Sequence, residues 1–148
     1  NTKRWRNLRK ITVAEVHGTV LSAGLMLAWC CDLIVAGEDT VFADVVGTRL
    51  GMCGLEYFAH PWELGPRKTK ELMLTGDSID IHEAHALGMV SKVFPLDDLP
   101  EQTLEFAPIT ATTVRIAVRS DLERQLALSE RLHRAVGDLD HVDLGASA

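Results

Sequence analysis

Short apolar runs, separated by polar or small residues, follow one another along the chain and predict alternating strands and helices. The apolar residues of 11–16 predict a strand, and the run 23–31, which is apolar nearly all round, predicts a buried helix. Two more strands are predicted at 33–36 and 40–43. Alternation of this kind is typical of an α/β fold with a buried sheet.

Capping residues and helix breakers mark further boundaries. The Gly-Pro step at 65–66 predicts the start of a helix that runs to about Leu74 and ends at Gly76. Asp80 with Glu83 forms a capping-box pattern that predicts the start of another helix. The remaining predicted elements are a helix near 2–9, a short helix at 54–60, a strand at 90–94, a helix from Asp97 to about Ala107 and an amphipathic helix from Ser120 to Val136.

The composition of the 148 residues, with 47% hydrophobic and 24% charged side chains, is that of one globular core. The net charge of −6 gives no basis for binding nucleic acid, so no nucleic-acid partner is expected. No apolar run reaches the roughly eighteen residues of a membrane span and no signal peptide is visible, so we expect a cytoplasmic protein without a membrane partner. Cys30, Cys31 and Cys53 lack metal-ligand spacing, and no metal site is expected.

The segment Leu21-Ser22-Ala23-Gly24 joins the first predicted strand to the buried helix. The first amides of a helix have no partners inside it and carry the positive end of the helix dipole, so this turn suits a negatively charged oxygen. Ala23 and Gly24 are small enough for a ligand to approach the backbone. The turn therefore predicts an oxyanion hole built on the Ala23 N–H; an ordinary strand-turn-helix corner has the same sequence pattern.

Further short motifs surround and follow this turn. His17-Gly18 precedes it, Cys31-Asp32 ends the buried helix, and Leu-Thr-Gly-Asp at 74–77 and Ala-Leu-Gly-Met-Val at 86–90 come later. In this order and at this spacing the motifs resemble the enoyl-CoA hydratase/isomerase (crotonase) family over residues 10–106. The resemblance implies the ClpP/crotonase type of α/β fold, a spiral core of ββα units followed by C-terminal helices.

The match with the family begins in the middle of its fold, so we expect the N-terminal part of that fold, with the second oxyanion amide, to be missing from this chain. Residues 1–106 then form the C-terminal part of the crotonase core, and 107–148 form a helical region. An apolar stripe in that region serves a homotrimer or hexamer, as the resemblance implies, or packs within its own subunit. The stripe comprises Leu122, Leu126, Leu132 and Val136.

Hydration of a double bond conjugated to a thioester needs an oxyanion hole and carboxylates that orient and activate water. Hydratases of the resembled family supply two glutamates, and the matching positions here hold Met26 and Val46. Neither side chain transfers a proton, so efficient hydration by the usual pair is not expected. Glu56 with Tyr57, in a segment similar to that of actinobacterial paralogues, ranks first as a replacement. Asp44 ranks second, because a turn or capping role explains it as well.

The resemblance implies an acyl-CoA substrate, nominally a 2-enoyl-CoA of fatty-acid metabolism, whose thioester oxygen lies on the Ala23 amide. Coenzyme A then arrives as part of the substrate, and no separate cofactor is expected. The residues expected to bind the substrate around that amide are Leu21, Ser22, Gly24, Met26 and Val46.

Two alternatives stay open at this point. In the first, a paralogue without the glutamate pair binds acyl-CoA and does not turn it over. In the second, Ser22 is the nucleophile of a serine hydrolase, because its strand-to-helix turn is similar to a nucleophile elbow. Val20 opposes the second reading, since it occupies the place of the elbow's first glycine, and a helix N-cap role explains Ser22 without hydrolysis.

Overall fold

The computed structural model describes residues 2–49, 58–107 and 112–118, and within them strands and helices alternate. The α/β class predicted from the apolar pattern is thereby confirmed. The helices are α1 (Thr2–Arg6), α2 (Ala23–Trp29), α3 (Val45–Arg49), α4 (His60–Thr75), α5 (Ile81–Ala86) and α6 (Leu99–Phe106). The strands are β1 (Thr12–Leu21), β2 (Leu33–Gly37), β3 (Val41–Ala43), β4 (Ile79–Asp80), β5 (Lys92–Phe94) and β6 (Thr112–Val118).

The central strand is β1, which is longer than the predicted 11–16. Its first half pairs in parallel with β2 over residues 13–16, and its second half pairs in parallel with β3 over residues 19–21. Gly18, between the two ladders, has a φ of 62°, a conformation that glycine adopts readily. The strand therefore passes from one partner to the other at Gly18 and delivers the chain to Ser22.

The rest of the sheet extends outward from these three strands. β5 pairs in parallel with β2, and β4 pairs antiparallel with β3, which gives the order β4-β3-β1-β2-β5. β6 pairs in parallel with β1 over residues 12–18 of that strand. This pairing corrects the prediction of a wholly helical region at 107–148, because 112–118 is rich in threonine, valine and isoleucine, which favour strands. The division of the chain at 106 stays a prediction.

The side chains of β1 alternate between two apolar clusters on opposite faces of the sheet. Ala14 and Val16 pack into the larger cluster, which contains most of the buried side chains of α2. Val13 packs on the other face with Val35 of β2 and Leu99 of α6. All five side chains are fully or almost fully buried. β1 is thus covered on both faces, as expected of a central strand in a parallel sheet.

The helix boundaries predicted from caps and breakers are confirmed where the structure describes them. Gly76 ends α4 with φ 72° and ψ 19°, and its N–H donates to the Leu72 carbonyl at 3.0 Å. Asp80 caps α5 by accepting from the Glu83 N–H at 2.8 Å. Gly65, with φ 74° and ψ 159°, interrupts α4, so the helix predicted from the Gly-Pro step begins there, after a separate helical turn.

Two predicted elements fall wholly or partly outside the residues that the structure describes. Of the short helix at 54–60, only the last residues are described, and Phe58 and Ala59 precede α4 without being helical. The amphipathic helix from Ser120 to Val136, with its apolar stripe, lies entirely outside. Of the helices that are described, none combines the length and hydrophobicity needed to cross a bilayer.

Candidate active site

The chain passes from β1 into α2 at Ser22, whose backbone adopts φ 39° and ψ −100°. Within the described ranges, Ser22 is the only residue other than glycine with a positive φ. Such a conformation costs on the order of 1–3 kcal/mol, so surrounding contacts must hold it. The Ser22 N–H donates to the Ala43 carbonyl at 2.9 Å, and the Ser22 carbonyl accepts from the Met26 N–H at 2.9 Å. Both backbone polar groups of Ser22 are therefore fixed.

The Ser22 hydroxyl bonds away from the helix that it precedes. It donates to Asp44 Oδ1 at 3.1 Å and accepts from the Val46 N–H at 3.2 Å. Ser22 stands at the N-cap position of α2, but its side chain makes no capping bond. An N-cap residue uses an extended backbone to turn its oxygen onto the first helical amides, and a φ of 39° lies outside that range. The N-cap interpretation of the Ser22 hydroxyl is therefore wrong.

Asp44 lies at the centre of a buried hydrogen-bonded network. The residue is 2% exposed, its Oδ1 accepts from Ser22, and its Oδ2 lies 3.0 Å from Nε2 of His60. An ionised carboxylate only accepts hydrogen bonds, so the equally buried His60 donates from Nε2. The sequence favours a turn or capping role for Asp44, whereas the structure places its carboxylate between the β1–α2 turn and the start of α4.

The imidazole of His60 is held on a second side by Trp29. The two rings meet edge to face, with centroids 4.6 Å apart and planes at 76°. Trp29 is fully buried and belongs to α2, the helix that follows Ser22. These contacts form a ring. Ser22 is hydrogen-bonded to Asp44, Asp44 to His60, and His60 packs on Trp29 of α2, the helix that directly follows Ser22.

The start of α2 lies at the surface of the part of the chain that the structure describes. Ala23 is exposed, and Gly24 and Leu21 on either side of the turn are partly exposed. Because α2 begins at Ala23, the amides of its first turn have no carbonyl partner inside the helix. The predicted strand-to-helix turn is thus confirmed, and the oxyanion role of Ala23 stays a prediction.

Two predicted substrate-binding residues belong to the framework of the site. Met26 is 5% exposed and packs in the larger apolar cluster, because α2 is buried between the sheet and its neighbours. Val46 contributes its backbone N–H to the Ser22 hydroxyl, and its side chain is half-buried. Ser22 is itself buried, so the members of the predicted set that are at least partly exposed are Leu21, Ala23, Gly24 and Val46.

Glu56 and Tyr57, which ranked first as acid–base residues, lie outside the residues that the structure describes, and their roles stay predictions. His60 is the described residue of this segment that reaches the turn, through Asp44. The sequence indicates each residue as a candidate near the turn but not their contact, because they are 16 positions apart and no local pattern joins them. The available signal is weak: a histidine directly before a proline at the start of a helix.

The geometry argues against a serine nucleophile. In a Ser-His-Asp triad the serine hydroxyl donates to the imidazole, and the carboxylate binds the other ring nitrogen. In this protein the Ser22 hydroxyl donates to Asp44, and His60 lies on the far side of that carboxylate. The imidazole therefore cannot take the serine proton in this arrangement. The elbow-like sequence at Ser22 forms a structural turn.

The thiols of Cys30 and Cys31, which follow α2, are free and buried. Burial raises the pKa of both thiols, and the charge of a Cys31 thiolate would raise the pKa of Cys30 further. A thiol with a raised pKa is a poor nucleophile at neutral pH. In the part of the chain that is described, no three His, Cys, Asp or Glu side chains are grouped as a metal site needs.

Comparison with known proteins identifies the family. Residues 1–145 match the family described as enoyl-CoA hydratase/isomerase. The chain is 83% identical over 107 residues to EchA13 of Mycobacterium tuberculosis, a protein named for enoyl-CoA hydratase, and the match covers 72% of this chain and 34% of EchA13. It is 31% identical over 145 residues to the mitochondrial enoyl-CoA hydratase of Pongo abelii, covering 89% of this chain and 49% of that protein.

A solved structure agrees with these matches. The crystal structure of a Mycobacterium smegmatis protein named for enoyl-CoA hydratase superposes with a TM-score of 0.66 at 38% identity, over 94% of this chain and 53% of the other. The chain therefore belongs to the enoyl-CoA hydratase/isomerase family and has a crotonase-like α/β fold. It spans about half, or less, of the length of these relatives.

Proposed function

We propose that this chain is part of an enzyme that acts on acyl-CoA thioesters, nominally by hydrating 2-enoyl-CoA, and that the Ala23 amide binds the thioester oxygen. The supporting observation is the exposed start of α2 directly after Ser22, whose own amide is occupied by the Ala43 carbonyl. Membership of the family makes acyl-CoA the substrate class to test first. Coenzyme A enters as part of the substrate, without a separate cofactor.

The proposed role of Ala23 follows from where charge develops. When water adds to a double bond conjugated to a thioester, negative charge builds up on the thioester oxygen. A backbone N–H already directed at that oxygen stabilises the charge without reorganising, and one such donor is worth roughly a hundredfold to a thousandfold in rate. Alanine serves here as well as glycine, because the donor belongs to the main chain.

The proposed acid–base group is Glu56, assisted by Tyr57. The positions that match the two family glutamates hold Met26 and Val46, which carry no proton to transfer. Asp44 is a poor substitute, because both of its carboxylate oxygens already accept hydrogen bonds and the residue is buried. In this scheme Asp44 supports the turn, and water is activated from the segment that contains Glu56.

A second candidate function is the binding of acyl-CoA without turnover. Met26 favours it, because the position that matches the first family glutamate holds an apolar side chain packed in the core. Such a protein keeps the open turn for the thioester oxygen and lacks a group that activates water. The two candidates therefore differ in turnover and agree in binding.

The assay that separates them uses the full-length gene product with 2-enoyl-CoA substrates of short, medium and long chain. Hydration on the order of a hundredfold slower than by a family hydratase with both glutamates, and lost in Glu56→Gln, supports the enzyme. Glu101→Gln, at an exposed position on α6, is the matched control. Acyl-CoA binding in the micromolar range without turnover supports the binder, and the absence of both overturns the proposal.

We further propose that the gene product assembles as a homotrimer or hexamer. The support is the apolar stripe of the C-terminal segment, defined above by Leu122, Leu126, Leu132 and Val136, together with membership of the family. Sedimentation equilibrium of the full-length gene product tests it. A mass of three or six copies supports the assembly, and a monomer at micromolar concentration contradicts it.

A further inference from the structure

The strained backbone of Ser22 is held by one neighbouring segment, in addition to the bond that its carbonyl accepts from the Met26 N–H of α2. Its N–H donates to Ala43, its hydroxyl donates to Asp44, and its Oγ accepts from the Val46 N–H. These three partners lie together on the connection from β3 into α3. The connection therefore holds both the backbone N–H and the hydroxyl of Ser22, and we call these three bonds the clamp. The clamp helps to fix a ψ of −100°, which lies outside the preferred backbone regions of serine.

The ψ angle of Ser22 has a direct effect on the next residue. The N–H of Ala23 lies in the peptide plane that joins it to Ser22, and rotation about ψ of Ser22 turns that plane as a rigid unit. A relaxation of Ser22 toward an ordinary conformation would therefore swing the Ala23 N–H away from its present direction. What holds Ser22 also aims the Ala23 amide.

Asp44 is the part of the clamp that is itself anchored. Its Oδ2 lies 3.0 Å from Nε2 of His60, and both residues are buried. The His60 ring rests edge to face on Trp29, whose side chain is fully buried. The Asp44 carbonyl accepts from the Thr48 hydroxyl at 2.6 Å. The carboxylate is thus fixed independently of Ser22, so it can hold the serine in place.

We propose that Asp44 is a positioning residue: anchored by His60, its carboxylate holds the Ser22 hydroxyl and thereby sets the direction in which the Ala23 N–H meets the substrate oxygen. This inference rests on the proposed function of Ala23. Asp44 does not touch the substrate in this scheme. Its effect is largest for a ligand with a negatively charged oxygen, because hydrogen bonds to charged acceptors are the stronger ones and depend on donor alignment.

Two ligands of equal acyl length separate positioning from simple binding. Acetoacetyl-CoA ionises to an enolate whose charge lies partly on the thioester oxygen, whereas butyryl-CoA stays neutral. Calorimetry on the full-length gene product at mildly alkaline pH gives a dissociation constant for each ligand. We expect the unchanged protein to bind acetoacetyl-CoA at least about tenfold more tightly than butyryl-CoA.

Variants then test the role of the carboxylate. Asp44→Ala should reduce this preference to about twofold or less, while the affinity for butyryl-CoA changes by less than about threefold. Asp44→Asn still offers an oxygen to Ser22 and should restore most of the preference. Thr40→Val removes a different buried hydroxyl, which donates to the Gly37 carbonyl at 2.7 Å, and should leave the preference unchanged.

The outcomes separate this inference from the proposed function. If a thermal melt shows that Asp44→Ala does not fold, Ser22→Ala carries the same test, because it removes the hydroxyl and leaves the Asp44–His60 pair in place. A folded variant that keeps the full preference for acetoacetyl-CoA overturns the positioning role. An unchanged protein that binds both ligands equally overturns the proposed role of Ala23, on which the inference depends.

Discussion

The Ser22 hydroxyl lies 3.1 Å from the Asp44 carboxylate, although the two residues are 22 positions apart in the sequence. The register of the sheet explains the contact: β1 and β3 are parallel, with Leu21 opposite Ala43. The residues that follow these two strands therefore meet at the same edge of the sheet. Strand pairing thus brings together the turn at the start of α2 and the carboxylate that supports it.

Replacing Ser22 with glycine should destabilise the protein less than replacing it with alanine. At most positions the order is the reverse. Ser22→Ala and Ser22→Gly both lose the hydroxyl's bonds to Asp44 and Val46, but only glycine relieves the positive φ. We expect Ser22→Gly to be more stable than Ser22→Ala by about 1 kcal/mol in urea unfolding. The same pair of exchanges at Ser91, which has no positive φ, is the control. A Ser22→Ala protein that is at least as stable as Ser22→Gly would contradict the argument that the backbone of Ser22 is strained.

Removing the Ala23 amide should abolish most of the activity proposed here. Ala23→Pro deletes the N–H at the first position of α2, where proline fits a helix. Turnover of the full-length gene product should fall roughly a hundredfold, whereas Ala23→Gly, which keeps the donor, should stay within about threefold of the unchanged protein. Steady-state kinetics with an enoyl-CoA substrate measures both, after a melt confirms folding. Full activity in Ala23→Pro would show that the oxyanion site lies elsewhere in the protein.

Local patterns were sufficient for the parts of the fold that depend on a few adjacent residues. The left-handed end of α4 at Gly76 and the cap of α5 by Asp80 follow from residue type alone, because only neighbouring backbone groups take part. The strand β6 was missed for the opposite reason. Its threonine, valine and isoleucine residues favour a strand, but its pairing with β1 joins residues 100 positions apart, and no local pattern indicates that pairing.

The candidate site likewise has some features that local sequence predicts and others that depend on long-range packing. The strand-to-helix turn before Ala23 was predictable, because the change from a strand pattern to a helix pattern with small residues between them is local. The association of Asp44 with His60 was not, since it depends on how α4 packs against the end of β3. The strain at Ser22 was equally hidden, because serine is an ordinary N-cap residue and only its actual backbone angles distinguish the two roles.

Asp44 and His60 should be energetically coupled. Either single alanine exchange breaks a 3.0 Å hydrogen bond between buried partners, and removing one partner of a buried hydrogen bond typically costs about 1–3 kcal/mol. The double exchange should cost less than the sum of the single ones, with a coupling of about 1–3 kcal/mol. Urea unfolding of the four proteins measures it, with His82→Ala, at an exposed position of α5, as the control. Additive effects would show that the contact does not act as a pair.

Glu63 on α4 predicts a pH dependence of stability. Burial raises the pKa of its carboxyl, and the nearby charge of Arg6 lowers it in part. The folded protein therefore holds this proton more tightly than the unfolded chain, so the stability contributed by Glu63 is complete below the unfolded pKa and declines as pH rises through the folded pKa. Glu63→Gln should accordingly raise the melting temperature at neutral pH and change it little near pH 4. If Glu63→Gln raises the melting temperature no more at neutral pH than near pH 4, the argument that burial raises the pKa of Glu63 is contradicted.

The resemblance to the family hydratases implies that Met26 takes the place of their first glutamate, so Met26→Glu would restore an acid in the sequence. The structure indicates that Met26→Glu would not place an acid at the candidate active site. Met26 is 5% exposed and packs in the same cluster as Leu25 and Trp29. A carboxylate in that place is desolvated, so its pKa rises and the folded protein becomes less stable as pH increases above the ordinary range of glutamate.

Met26→Gln is the matched control, because it has the same shape as glutamate and no charge. We expect Met26→Glu to be less stable than Met26→Gln by about 2–4 kcal/mol at pH 8, with a smaller difference at pH 5, and to hydrate crotonyl-CoA no faster than the unchanged protein. Urea unfolding at both pH values and a hydration assay on the full-length gene product measure these outcomes. A stable Met26→Glu protein whose hydration rate increases would show that position 26 faces the substrate, which contradicts its placement in the core.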